Sequence, residues 1–221
     1  MYELFIATFV TFFVVIDPLG IAPIFAVMTD GASGAFKRRM VFKASLTGAI
    51  ILLMFAFLGT GLLSALGISM MAFKAAGGFL LFMIALEMVF EKRTERREKK
   101  TEGLTHDHKG NQVTVEDNDD DYEDISVFPM AIPFIAGPGS IATIMLMMSQ
   151  HEGNVQDQGI VISALFGALL STVLILLAAS KIISLLGQTV ANAITRILGV
   201  ILAALATQYM FDGIKGAFMG G

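Results

Sequence analysis

One acidic residue stands deep in an apolar stretch of this 221-residue chain, in the run Ile16-Asp17-Pro18-Leu19-Gly20-Ile21-Ala22-Pro23. A carboxyl group there costs about 2.5–3.5 kcal/mol if the stretch crosses a bilayer. Two roles fit it: a ligand for a substrate ammonium, a proton or a cation, or an N-cap for a helix starting at Pro18. The two are compatible. A second run, Ile135-Ala136-Gly137-Pro138-Gly139-Ser140-Ile141-Ala142, has the same breakers but no acid. Gly20, Gly137 and Gly139 let backbone approach a ligand closely. Ile21, Ser140 and Thr143 complete the expected lining, and the two hydroxyls have a plainer use in bonding to their own backbone. All five prolines lie in these two regions, Pro129 and Pro133 just ahead of the second run. Helix breakers inside membrane-length segments free backbone polar groups, which are tolerated only within protein or beside a water-filled cavity. Paired breaks in two halves of a chain point to a transporter's binding site. The stretch 17–23 is either helical from Pro18 or extended until Pro23, where a proline is uncomfortable inside a helix.

Composition supplies the elements. Hydrophobic residues make up 55% and charged residues 15%, against about 25% charged in soluble domains. Long runs without ionisable side chains, such as 44–71, read as transmembrane helices. Six spans are expected, near 3–28, 41–66, 70–90, 125–149, 159–185 and 192–211. The first and fourth are broken near the midplane, and the short link 64–70 makes a tight hairpin of the second and third. The start lacks the basic region of a cleavable leader. All Lys and Arg except Lys74 and Lys215 fall in the first, third and fifth connections. The positive-inside rule then places both termini outside, periplasmic in a bacterial inner membrane.

A shift of 120 lays Pro18 on Pro138, Ile21 on Ile141 and Met28 on Met148. One further position lays Gly78 on Gly199, Leu81 on Leu202, Ala85 on Ala206 and Glu87 on Gln208. Three spans per copy make the copies inverted, with 1–90 and 125–221 as the repeats and 91–124 as a charged connecting loop. Glu87 and Gln208 join Asp17 as candidates for a coupling ion; Glu87 also reads as an interfacial acid. Asp212-Gly213 reads as a helix end. Small residues four apart (Ala44/Gly48, Ser163/Gly167/Ser171, Gly199/Ala203/Thr207) read as packing stripes. The loop's acidic run, 116–124, reads as disordered; it lacks calcium-loop spacing, and His106-Asp107-His108 is a weak metal motif.

These motifs resemble the MarC family of bacterial inner-membrane proteins, related to the LysE-type transporters. The likeness rests on Asp17-Pro18-Leu19-Gly20, Pro23-Ile24-Phe25, Ala131-Ile132-Pro133, Ala136-Gly137-Pro138, Gly77-Gly78, Leu86-Glu87-Met88, Ala206-Thr207-Gln208 and Asp212-Gly213-Ile214. It implies six helices and an exterior N-terminus. Members carry an asparagine where this chain has Ile21, and the acidic loop here is longer. The expected function is secondary transport or export of small neutral amino acids or related metabolites, coupled to H+ or Na+. The alternative is a non-transporting adaptor or regulator acting through the charged loop. An enzyme is not expected, since no nucleophile–base or metal-ligand set lies in the spans. No cofactor or metal is expected, and the partners are the lipid bilayer and a small-molecule substrate, without nucleic acid. Self-association into a homo-oligomer stays open.

Overall fold

A computed structural model describes residues 1–90 and 124–219. The described chain is helical throughout: α1 Tyr2–Ile16, α2 Pro18–Met28, α3 Gly34–Ala65, α4 Met70–Val89, α5 Ser126–Ile135, α6 Pro138–Gln150, α7 Val155–Leu177 and α8 Ala179–Met219. Four helices (α3, α4, α7 and α8) and the combined span α1–α2 are apolar and long enough to cross a membrane, and the bent pair α5–α6 makes a sixth candidate. The readings placed on the loop, including the basic run, the acidic run and the His106–His108 motif, lie outside the described residues.

The helix starts follow local chemistry. Ser33, Ser69 and Asn154 accept hydrogen bonds from the backbone N–H three residues on, capping α3, α4 and α7. Gly67 takes the left-handed conformation in the turn between α3 and α4 (φ 69°). Asp17 takes it between α1 and α2 (φ 56°). A residue before proline is pushed out of the right-handed helical region, and aspartate tolerates the left-handed one. Pro18 then opens α2, where a missing N–H costs nothing. The chain is therefore helical from Pro18, through Pro23, to Met28, so the extended alternative for 17–23 is not adopted. Phe128 and Ile132, each ahead of a proline, are extended. Wide-turn bonds such as Ala136 N–H to the Ala131 carbonyl (2.8 Å) carry the chain past them. α5 and α6 meet at 53°.

Several boundaries move. α3 begins at Gly34 rather than near 41, because Ser33 caps it. α8 continues through Asp212-Gly213 to Met219, so that pair is not a helix end. The turn between the last two spans falls at Gly187 (φ 71°). The short link to α4 does not make a packed hairpin: α4 lies chiefly against α8. There the glycines bring backbones together. A methyl placed on Gly78 would fall 2.8 Å from the Ala206 carbonyl oxygen, one on Gly199 3.1 Å from that of Ala85, and one on Gly213 2.5 Å from the Ala75 nitrogen. These pairs run in opposite directions, so the two helices are antiparallel.

Small residues face inward beside a few large ones, and many large side chains face outward. On α3, Ala44, Gly48 and Leu52 are buried while Phe42, Leu46, Ile50 and Phe57 are exposed. Lipid is as apolar as leucine, so nothing drives large side chains inside, and close backbone approach holds the bundle. α1 packs on α7 as α5 packs on α3. α2 packs on α8 and α7 as α6 packs on α4 and α3.

Candidate functional site

The break between α1 and α2 puts the Asp17 side chain inside the protein, 1% exposed. Its Oδ1 accepts from the Gly20 N–H at 3.1 Å, so the capping role is realised. The same oxygen accepts from the Thr195 hydroxyl of α8, also at 3.1 Å. Thr195 is buried. It is absent from the residues named from sequence, since it lies 178 positions away and a threonine early in an apolar helix usually bonds its own turn. Thr11, Thr29, Thr172 and Thr207 do bond that way.

The second break lies beside the first. A methyl on Gly139 would sit 3.2 Å from Val15 Cγ1, two residues ahead of Asp17, and 2.5 Å from Ile84 Cδ1 of α4. Further along the same helices, the Thr8 hydroxyl meets the Met147 sulfur at 3.9 Å. α1 and α6 thus run antiparallel in contact, which sets Asp17 and Gly137 at one level. Gly137 caps α6 without a side chain, and Pro138 opens the helix. A side chain at Gly137 would collide with the Pro133 carbonyl oxygen, so the backbone folds back tightly there. The start of α6 therefore presents backbone N–H groups with no capping side chain, an arrangement suited to negative charge.

The other expected residues divide. Pro18, Gly20, Ile21, Gly137, Gly139 and Ser140 are buried around the two breaks, while Pro138 is exposed. Thr143 is buried but donates to the Gly139 carbonyl at 2.8 Å, the local use of a hydroxyl. Glu87 is half-buried on α4, one turn beyond Ile84 and on the same face. Gln208 is exposed and donates to Asp212 at 2.9 Å. Asp212 lies 3.5 Å from the Lys74 ammonium. Thirteen helical residues separate Gln208 from Thr195, about 20 Å along the axis. Gln208 therefore belongs to a polar cluster at the far end of the α4–α8 pair, not to the Asp17 site. Tyr209 and Met147 carry no local sequence signal either: the Tyr209 hydroxyl meets the Met147 sulfur at 3.8 Å, tying α8 to α6 between that cluster and the breaks.

The family model for MarC family integral membrane proteins matches residues 2–218. The chain belongs to the MarC family. Curated MarC relatives cover it nearly end to end. It is 33% identical to a UPF0056 membrane protein of Pyrococcus horikoshii, over 97% of this chain and 96% of the relative. It is 33% identical to the UPF0056 membrane protein YvbG of Bacillus subtilis, over 99% and 97%. It is 32% identical to YhcE of Escherichia coli, over 99% and 95%. No solved structure matches. Membership and the apolar helices make this MarC chain an integral membrane protein.

Proposed function

We propose that the protein is a secondary transporter of small neutral amino acids or similar zwitterionic metabolites in a bacterial inner membrane, coupled to H+ or Na+, with both termini periplasmic. The site lies where the two breaks meet. The observation that carries this reading is Asp17: a buried acid in left-handed backbone, placed level with the uncapped start of α6. A backbone outlier and a costly buried acid at one position suit function better than packing. The acid would take a substrate ammonium or coupling cation, and the α6 N–H groups a carboxylate.

The inverted repeat is supported by reciprocal contacts. Gly78 approaches the Ala206 carbonyl and Gly199 approaches the Ala85 carbonyl. The shift of 121 exchanges these two contacts, as a two-fold axis through the α4–α8 crossing requires. The way α1 and α2 pack on α7 and α8 is mirrored by α5 and α6 on α3 and α4.

The test is flux in proteoliposomes. Gradient-driven uptake or efflux of glycine, alanine or serine is expected, with loss of most flux in Asp17→Asn. If none of the three moves with a proton or sodium gradient, and Asp17→Asn changes nothing measurable, the reading is wrong.

A further inference from the structure

The broken spans pair with the same elements in both halves, but the two-fold relation that holds at the α4–α8 crossing fails for their register. Gly139 rests on Leu81 and Ile84. The repeat shifts carry this contact to Leu19 against Leu202 and Leu205. Asp17 comes two residues before Leu19 on a span antiparallel to α8, which places it near 204–207; the structure instead bonds it to Thr195, nine to twelve residues earlier, about 14 Å or more along the helix.

A second, independent contact shows a similar offset. Gly48 of α3 rests on Ile135; Leu46-Thr47-Gly48-Ala49 aligns with Leu165-Phe166-Gly167-Ala168, which carries this contact to Gly167 of α7 against Val15. The structure instead sets Gly167 against Phe5 and Phe9. That is six to ten residues, roughly 9–15 Å along α1. Both offsets have one sign. Relative to the mirrored arrangement, the first broken span is displaced away from the end that carries Tyr2, the start of α7 and the end of α8. Val15 against Gly139 and Thr8 against Met147 tie the second broken span to the first.

We infer that α1–α2 and α5–α6 form one body that slides against a frame of α3, α4, α7 and α8, and that the structure is one of two related end states. This deepens the transporter reading and rests on its inverted repeat. In the second state the halves exchange environments. Asp17 leaves Thr195, and Leu19 comes to rest on Leu202 and Leu205. Thr195 is then a positioning residue: its bond to Asp17 holds the body at one end of its travel. The body moves toward the end where Lys74, Asp212 and Gln208 meet, exposing the site in turn to each side of the membrane.

The chain has no cysteine, so paired cysteines read these states directly. Asp17→Cys with Thr195→Cys reports the described state. Leu19→Cys with Leu202→Cys, and Leu19→Cys with Leu205→Cys, report the second. A short bifunctional thiol reagent is applied to membrane vesicles. The first pair is expected to cross-link, and at least one of the Leu19 pairs as well. Adding Thr195→Val to a Leu19 pair is expected to raise its yield severalfold. The inference is overturned if the Asp17/Thr195 pair links and neither Leu19 pair does, with or without Thr195→Val. It is equally overturned if no pair links in folded protein. Alanine flux by the wild type separates the two readings. Leu19 cross-links without flux sink the transporter reading and leave the movement. Flux without those cross-links does the reverse.

Discussion

At the scale of single residues, Asp17 combines two tasks that substitution separates. Its Oδ1 holds the Gly20 N–H and the Thr195 hydroxyl together, and its backbone turns through the left-handed region. Asparagine keeps an acceptor oxygen and tolerates that backbone. Alanine loses the cap, about 1 kcal/mol, and leaves a buried hydroxyl without its acceptor, about 1–3 kcal/mol more. Thermal unfolding in detergent should therefore rank wild type and Asp17→Asn close together and Asp17→Ala well below both. In flux the two variants should be equally impaired, because neither carries the charge. Equal stability of all three would show that the cap and the Thr195 bond do not hold this junction.

At the scale of elements, close backbone approach replaces the hydrophobic effect as the force between helices. Gly213 touches the backbone of Ala75, whereas Gly61 of α3 has open space beside it. Gly213→Ala must part α4 from α8, at a cost of about 1–3 kcal/mol. Gly61→Ala should be neutral or stabilising by up to about 1 kcal/mol, since alanine favours helix. A denaturant or thermal series on the two variants checks this, and equal effects would count against the α4–α8 contact. The entry to α5 has a different anchor. Asp124 accepts from the Lys43 ammonium of α3 at 2.8 Å and from the Ser126 backbone N–H at 3.0 Å, with the Ser126 hydroxyl also on it. Lys43 first, then Ser126, hold its carboxyl down to about 2, from 3.8. A lowered value stabilises the fold above the ordinary one and is lost as pH falls toward the folded one. The melting-temperature gap between wild type and Asp124→Asn should thus be constant above about pH 5 and close between about pH 4 and 2. The gap should be small, because an exposed pair contributes about 1 kcal/mol or less. A gap that widened on acidification would contradict this anchor.

At the scale of the molecule, the bundle closes without the charged connection. α4 packs on α8 and the two breaks pack against each other, all within 1–90 and 124–219. A chain in which a short flexible linker replaces 92–123 should therefore insert, fold and keep the flux of the full protein. Flux lost in the folded deletion would favour the alternative in which the loop carries the function. Much of this architecture was legible in the chain, and for local reasons. Proline lacks an N–H, aspartate before proline caps and turns, and charge-free apolar runs leave little choice but helices in lipid. Asp17, the two glycine-proline breaks and the small residues Ala44 and Gly48 of α3 and Gly199 of α8 were all visible in that way. What the chain did not disclose is which helices would touch. Thr195, Met147 and Tyr209 carry no local signal, because their partners stand 178, 139 and 62 positions away. Gln208 looked like a site residue because it aligns with Glu87, but helical rise sets it about 20 Å from Thr195. By itself the sequence determined where the backbone must break and which residue there carries the acid, because both follow from the bonding of adjacent residues. Only the tertiary structure decided that the breaks lie side by side and that a hydroxyl from the last helix meets the acid. Those are relations between distant segments, set by which small-residue surfaces fit against one another.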